Sequence, residues 1–145
     1  MEMAQQQCEL CMQDGGLVLW RDDRCRVVLV ADPEYAGFCR VIWRSHAKEM
    51  TDLTPADQAH CMHVVFAVER AVRTVLNPHK INLASLGNMT PHLHWHVIPR
   101  EATDPHFPES IWAARKRPAT NLQSPGSNVE TGARLGAEIA RLLQA

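Results

Sequence analysis

The chain has 145 residues, 46% of them hydrophobic and 21% charged, with a net charge of −1. That length supports one domain burying ~68% of the surface its unfolded chain exposes. The balanced charge argues against a nucleic-acid partner, and no apolar run approaches the ~18 residues of a membrane span. Met1 to Gln7 show no charged segment followed by an apolar one, so no secretion signal is expected. Five cysteines, odd in number and scattered, favour a reducing cytoplasm over a disulfide framework.

Cys8-Glu9-Leu10-Cys11 is a C-x-x-C pair. Alone it suits a redox couple, half of a zinc site or two unrelated thiols, and the lack of a surrounding βαβ pattern disfavours a thioredoxin-like role. Asp14-Gly15-Gly16 reads as a turn, Leu17 to Trp20 as a short strand, and Arg21 to Asp23 as a tight polar turn. Arg24 to Ala31 is a second strand, rich in Val. Asp32 to Gly37 is a loop by its Pro and Gly, and Phe38 to Trp43 is a third strand. Such short connections favour an antiparallel meander over βαβ units. His46 is a lone loop histidine.

Thr54-Pro55-Ala56-Asp57 is a helix start: Thr54 caps, Pro55 suits the first helical position, and Asp57 favours the positive end of the dipole. The helix should run to about Leu76. Ala59, Met62, Phe66, Val72 and Val75 form its apolar face, with His60, Glu69, Arg70 and Arg73 on the wet side. His60 and His63, one turn apart with no further ligand, read as structural. Ile81 to Leu86 alternates as a fourth strand, and Gly87 to Pro91 turns it back into a fifth. Glu101 to Pro108 is a loop. Ile111-Trp112 is an isolated apolar pair that packs back over the sheet or against another subunit. Pro118 to Gly126 reads as an irregular linker, and Ser127-Asn128-Val129-Glu130 as a capping box. The helix it opens, at about 128–144, has the stripe Leu135, Ile139, Leu142 and Leu143. The expected division is a domain over 1–108 and a C-terminal extension over 109–145, with no internal repeat.

The chemistry concentrates in the stretch from Gly87 to Arg100. His92, His94 and His96 alternate with Leu93, Trp95 and Val97, the period of a half-buried strand. The three imidazoles should share one face, ~6.5 Å apart, and Pro99 should end the strand. In register they suit metal binding, because neutral imidazole is a common zinc ligand. They equally suit phosphate chemistry, with one ring as nucleophile and its neighbours as donors to anionic oxygens. A merely solvent-facing polar strand fits them less well. Gly87 and Asn88 supply a turn and an amide donor, and Arg100 a guanidinium fork for phosphate.

His92-Leu93-His94-Trp95-His96-Val97-Ile98 resembles the histidine-triad signature of the HIT family of nucleotide hydrolases and transferases: three His alternating with apolar residues, then a further apolar pair. Gly87 upstream and Pro99-Arg100 downstream resemble it too, and the likeness spans Cys8 to Arg100. It implies an α+β fold, a five-stranded antiparallel sheet packed on one long helix, to which this chain adds a C-terminal helix. It also implies a homodimer with a nucleotide substrate. His94, the middle member, matches the family's nucleophile, which forms a nucleotidyl-histidine intermediate that water cleaves. His96 matches the position contacting phosphate and leaving group, and His92 the orienting one. Asn88 and Asn82 resemble phosphate contacts and Asp32 a ribose contact.

The transferase branch and the dinucleotide phosphorylases tend to carry Gln at the third triad position. His96 therefore favours hydrolysis of a nucleoside phosphoramidate or dinucleoside polyphosphate, with no cofactor required for catalysis. Some members hold a structural zinc, and the matching positions here are Cys8, Cys11, His46 and His92, two thiolates and two imidazoles in a closed tetrahedral set. Two rivals stand beside the hydrolase: a metal-dependent hydrolase using His92, His94 and His96 as ligands, and a non-catalytic nucleotide-binding module.

Overall fold

The computed structural model describes residues 2–119 and 125–144. Two short helices, α1 (Glu2–Gln6) and α2 (Glu9–Met12), precede strands β1 (Leu17–Arg21), β2 (Cys25–Leu29) and β3 (Cys39–Trp43). A 3-10 turn at Met50–Asp52 leads into the long helix α3 (Pro55–Leu76), followed by β4 (Lys80–Ala84), β5 (His94–Arg100) and α4 (Pro125–Leu143). The strands form one antiparallel sheet in the order β1-β2-β3-β5-β4. This is the α+β arrangement expected, five antiparallel strands on one long helix with a C-terminal helix added. No helix among the described residues is long and apolar enough to cross a membrane.

Helix α3 begins and ends on local chemistry. The Thr54 hydroxyl accepts the Asp57 N–H at 3.2 Å, satisfying one of the donors that a helix start leaves free. Asn77, at φ 47, takes the left-handed conformation that terminates it. Of the expected apolar face, Val72 is buried and Met62 and Val75 pack half-buried on the core, but Ala59 and Phe66 face outward and the buried stripe is rotated from it. The stripe runs through Cys61, Val64, Val65, Val68, Ala71 and Val72, whereas Phe66 is 44% exposed. Val and Ala recur on several faces of this helix, so sequence spacing alone left its rotation open. The sheet decides it: that stripe packs on Val27, Leu29, Cys39, Val41, Trp43 and Val97. Burying each such aliphatic side chain contributes ~1.5–3 kcal/mol.

Helix α4 joins the same core through Leu135 and Ile139, both fully buried. It lies directly on β1 because Gly136 has no Cβ; one there would sit 3.1 Å from the Leu19 carbonyl oxygen. The helix starts at Pro125, so Ser127 falls inside it rather than capping it, in keeping with proline's preference for a first turn. Part of the linker expected over 118–126 lies outside the described residues.

Two expectations about the histidine strand are corrected. Strand β5 continues through Pro99 to Arg100, paired with Ile81 and Lys80 of β4. Its partners on β3 stop at Val97, so that side of the strand is open at Pro99 and a missing N–H there loses no ladder bond. His92 precedes the strand, which starts at His94; the three histidines are therefore not one strand face. The face of the sheet opposite α3 carries Arg40 and Ile42 beside His96 and His94. It is covered on one side by Cys8 and Leu10 packing on Val28 and Ile42. On the other side Ile111 packs on Tyr35, Phe38 and Ile98.

Candidate active site and metal centre

His94 and His96 lie side by side on β5, their ring centroids 4.9 Å apart, in the wall of a cavity of about 530 Å³. The lining also includes Arg40, Gly87, Asn88, Ser110 and Trp112. The backbone sets the tautomer of His94, since its Nδ1–H donates to the His92 carbonyl at 2.6 Å. That leaves Nε2 with a free lone pair. His96 is wedged between Phe38, stacked at 5.7 Å, and Trp112, edge-on at 4.9 Å.

Burial disfavours the charged form of each triad imidazole. It lowers the pKa of His92 and His94 below the ordinary histidine value. It pushes His96 down to about 4, with the neighbouring His94 and Arg40 adding to the effect. The rings are therefore neutral near pH 7, as an imidazole nucleophile or a metal ligand must be.

His92 is committed elsewhere. Its Nε2–H donates to the Trp43 carbonyl at 2.6 Å, leaving Nδ1 facing the thiols of Cys8 and Cys11, each at 3.4 Å. His46 Nδ1 lies 3.4 Å from the Cys11 sulfur. The ligating atoms of Cys8, Cys11, His46 and His92 all fall within 4.8 Å of one another. Zinc held at ~2.3 Å from sulfur and ~2.0–2.1 Å from nitrogen needs S···N edges of this order, and two thiolates with two imidazoles form a closed structural set. The donor set fits the metal, and the Trp43 carbonyl orients its histidine ligand from behind. Burial and the adjacent Cys8 push the Cys11 thiol up to about 11, so metal binding must displace a proton. Because His92 belongs to this cluster, the three triad imidazoles do not converge on one ion.

The remaining sequence-marked residues separate. Asn88 is exposed on the cavity rim. Arg100 lies outside the cavity, 1% exposed, donating to Asp104, Asn82 and the Glu109 carbonyl at 2.7–3.0 Å. Asn82 is the acceptor in that network. Asp32 is half-buried and accepts from the Glu34 N–H in its own turn at 2.9 Å. His60 is paired with Asp22 at 2.6 Å, and these two with Cys25 form the second His/Cys/Asp cluster among the described residues.

Arg40 carries no sequence signal, since an Arg in an apolar strand reads as surface, whereas the pair Ile111-Trp112 does pack back over the sheet, Trp112 on His96 and Ile111 on Ile98. Asp104, Tyr35 and His106 went equally unmarked. The Tyr35 hydroxyl donates to Asp104 at 3.2 Å and lies 2.6 Å from His106 Nδ1. This network pins the segment after β5, which brings Ser110 and Trp112 to the cavity.

The HIT domain family matches residues 13–103. Over 100 residues the chain is 30% identical to "AP-4-A phosphorylase" of Mycobacterium tuberculosis (strain ATCC 25618 / H37Rv), an overlap of 65% of this chain and 51% of that protein. The chain thus spans about half the length of the curated relatives it matches. Among solved structures it is similar to a histidine triad protein from Bradyrhizobium japonicum, with a TM-score of 0.76 and 25% identity over 88% of this chain and 93% of that one. A Zn-bound histidine triad family protein from Mycobacterium smegmatis has a TM-score of 0.66 and 24% identity over 97% of this chain and 98% of that one. With residues 13–103 matched, most of its length, the chain belongs to the HIT domain family.

Proposed function

We propose that this protein is a nucleotide-cleaving enzyme in which His94 attacks the α-phosphorus of a nucleoside phosphoramidate or dinucleoside polyphosphate. A bond forms from Nε2 to phosphorus, and the bond from phosphorus to the leaving group breaks with its electron pair on the departing atom. The Nε2–H of neutral His96 hydrogen-bonds the departing atom and stabilises the charge that grows there, and an amine leaving group takes its proton from solvent. Water then attacks the nucleotidyl-histidine and the phosphorus–nitrogen bond breaks with its electron pair on Nε2, releasing the nucleoside monophosphate and a proton to solvent and restoring neutral His94. A neutral nucleophile avoids repulsion by the phosphate oxygens, and the covalent intermediate splits one difficult step into two. In this reading Asn88, on the rim, donates to phosphate.

The observation that carries this reading is the 2.6 Å bond from His94 Nδ1 to the His92 carbonyl, which keeps the other nitrogen deprotonated inside a cavity. Cys8, Cys11, His46 and His92 hold a structural zinc in this reading, supported by the fit of their ligand atoms and by the Zn-bound relative from M. smegmatis. The metal would tie the N-terminal C-x-x-C to the triad and keep His92, and so its carbonyl, in place.

A second acceptor is favoured by the relative named AP-4-A phosphorylase, in which inorganic phosphate replaces water. The test is release of AMP from adenosine 5′-phosphoramidate and from diadenosine polyphosphates, with and without added phosphate, by wild type and a folded His94→Ala variant. Wild-type turnover lost in the variant is expected; equal turnover in both would remove His94 from its role. Formation of ADP only when phosphate is added would identify phosphorolysis. Tight nucleotide binding with no turnover would leave a binding module.

A further inference from the structure

We propose that Arg40 binds the first phosphate of the leaving group, so that the cavity is built for a nucleotide whose leaving group begins with phosphate rather than an amine. This rests on the nucleotide-cleaving reading above and names its substrate class.

Arg40 sits on β3 directly across from His96 on β5. Its Nε donates to His96 Nδ1 at 3.3 Å, and its guanidinium lies 5.4 Å from the Phe38 ring centroid, the same ring that stacks on His96. The bond to Nδ1 leaves the N–H of His96 on Nε2, a hydrogen-bond donor to a departing group. Among the described residues, the terminal nitrogens of Arg40 make no hydrogen bond and no carboxylate stands within ion-pair distance. The contrast with Arg100 and Arg26 is direct. Arg100 is held by Asp104, Asn82 and a carbonyl, and the Nε and Nη2 of Arg26 by the carbonyls of Leu10, Gln13 and Asp14.

A half-buried guanidinium is costly without a counter-charge. Burial lowers its pKa, and Glu9 and Asp32 act on it only from a distance. The planar fork matches phosphate oxygens. Its position selects which phosphate. The α-phosphorus must come within ~3–3.5 Å of the His94 nucleophile, whereas Arg40 is bonded to His96, one ring further along the strand. A group held there is the next one beyond the α-phosphate. When the phosphorus–oxygen bond breaks, negative charge grows on that leaving phosphate and the guanidinium neutralises it.

The probes are ADP and AMP, bound to the His94→Ala protein so that nothing turns over. ADP is expected to bind ten- to a hundred-fold more tightly than AMP, and adding Arg40→Gln should erase the difference while AMP binding holds. Arg40→Lys, which keeps the charge without the fork, should retain part of the preference and decides the case if Arg40→Gln fails to fold. In otherwise wild-type protein, Arg40→Gln should lower kcat/KM for a diadenosine polyphosphate at least tenfold more than for the phosphoramidate. Equal affinity for ADP and AMP before substitution, or an equal loss of both after it, would overturn the assignment. If wild type cleaves none of these substrates, the cleavage reading fails. An ADP preference that disappears with Arg40 would still place the guanidinium on the second phosphate.

Discussion

Replacing Asp104 by Asn isolates the network that holds the segment carrying Ser110 and Trp112. The Asp104 carboxylate accepts from Arg100 Nε and Nη2 at 2.7 and 3.0 Å and from the Tyr35 hydroxyl at 3.2 Å. It also accepts the N–H groups of Glu101, His106 and Phe107 at 2.8–3.2 Å. Its partner Arg100 is 1% exposed, so a lost counter-charge cannot be replaced by water while the segment stays docked. Breaking a buried pair from one side costs ~3–5 kcal/mol. An Asn oxygen can still accept some of the backbone N–H groups, which places Asp104→Asn near the lower end, ~3 kcal/mol. For a domain of this size that is a fall in Tm of ~10 °C.

Urea unfolding followed by circular dichroism at pH 7 measures the cost, and repeating it at pH 3 tests its origin. The Arg100 guanidinium and the surrounding N–H donors hold the Asp104 carboxyl well below the usual carboxylate range. A depressed folded pKa contributes stability that is complete above the unfolded value of ~3.9 and is lost as pH falls through the folded one. By pH 3 the wild type should have lost about 1 kcal/mol of it to protonation of the unfolded chain. The variant has no such loss, so the gap between them should narrow by that amount. A gap under ~1 kcal/mol at pH 7, or one that does not change at pH 3, would refute the view that a buried ion pair pins this segment.

Two further outcomes follow from the geometry. Cys11→Ser should cut bound zinc, measured by elemental analysis, from about one per chain towards none. A chelator should lower the Tm of the wild type and leave that of the variant unmoved; wild type that takes up no zinc would remove the metal from the site. Thr54→Ala deletes the N-cap of α3 and should cost ~1 kcal/mol, read as a lower urea midpoint at unchanged m-value.

What sequence determined here is what short-range chemistry determines. The alternation of His94 to Val97 marks the histidine strand because a strand's side chains alternate by geometry. Thr54, Pro55 and Asp57 mark the start of α3 because a cap is satisfied within one turn. The meander follows from turns too short to hold a helix. What tertiary structure decided is every role that depends on chain crossing a long gap. His92 is set apart from His94 and His96 by thiols 84 and 81 residues away. Arg40 enters the triad cavity only because β3 pairs with β5, bringing together groups 56 residues apart. Arg100 reads as a free fork for phosphate until the chain returns and Asp104 takes its guanidinium. The rotation of α3 was settled in the same way, by the valine-lined sheet beneath it. Local spacing states which side chains can share a face; only packing states which buried charge is already paired and which one waits for a ligand.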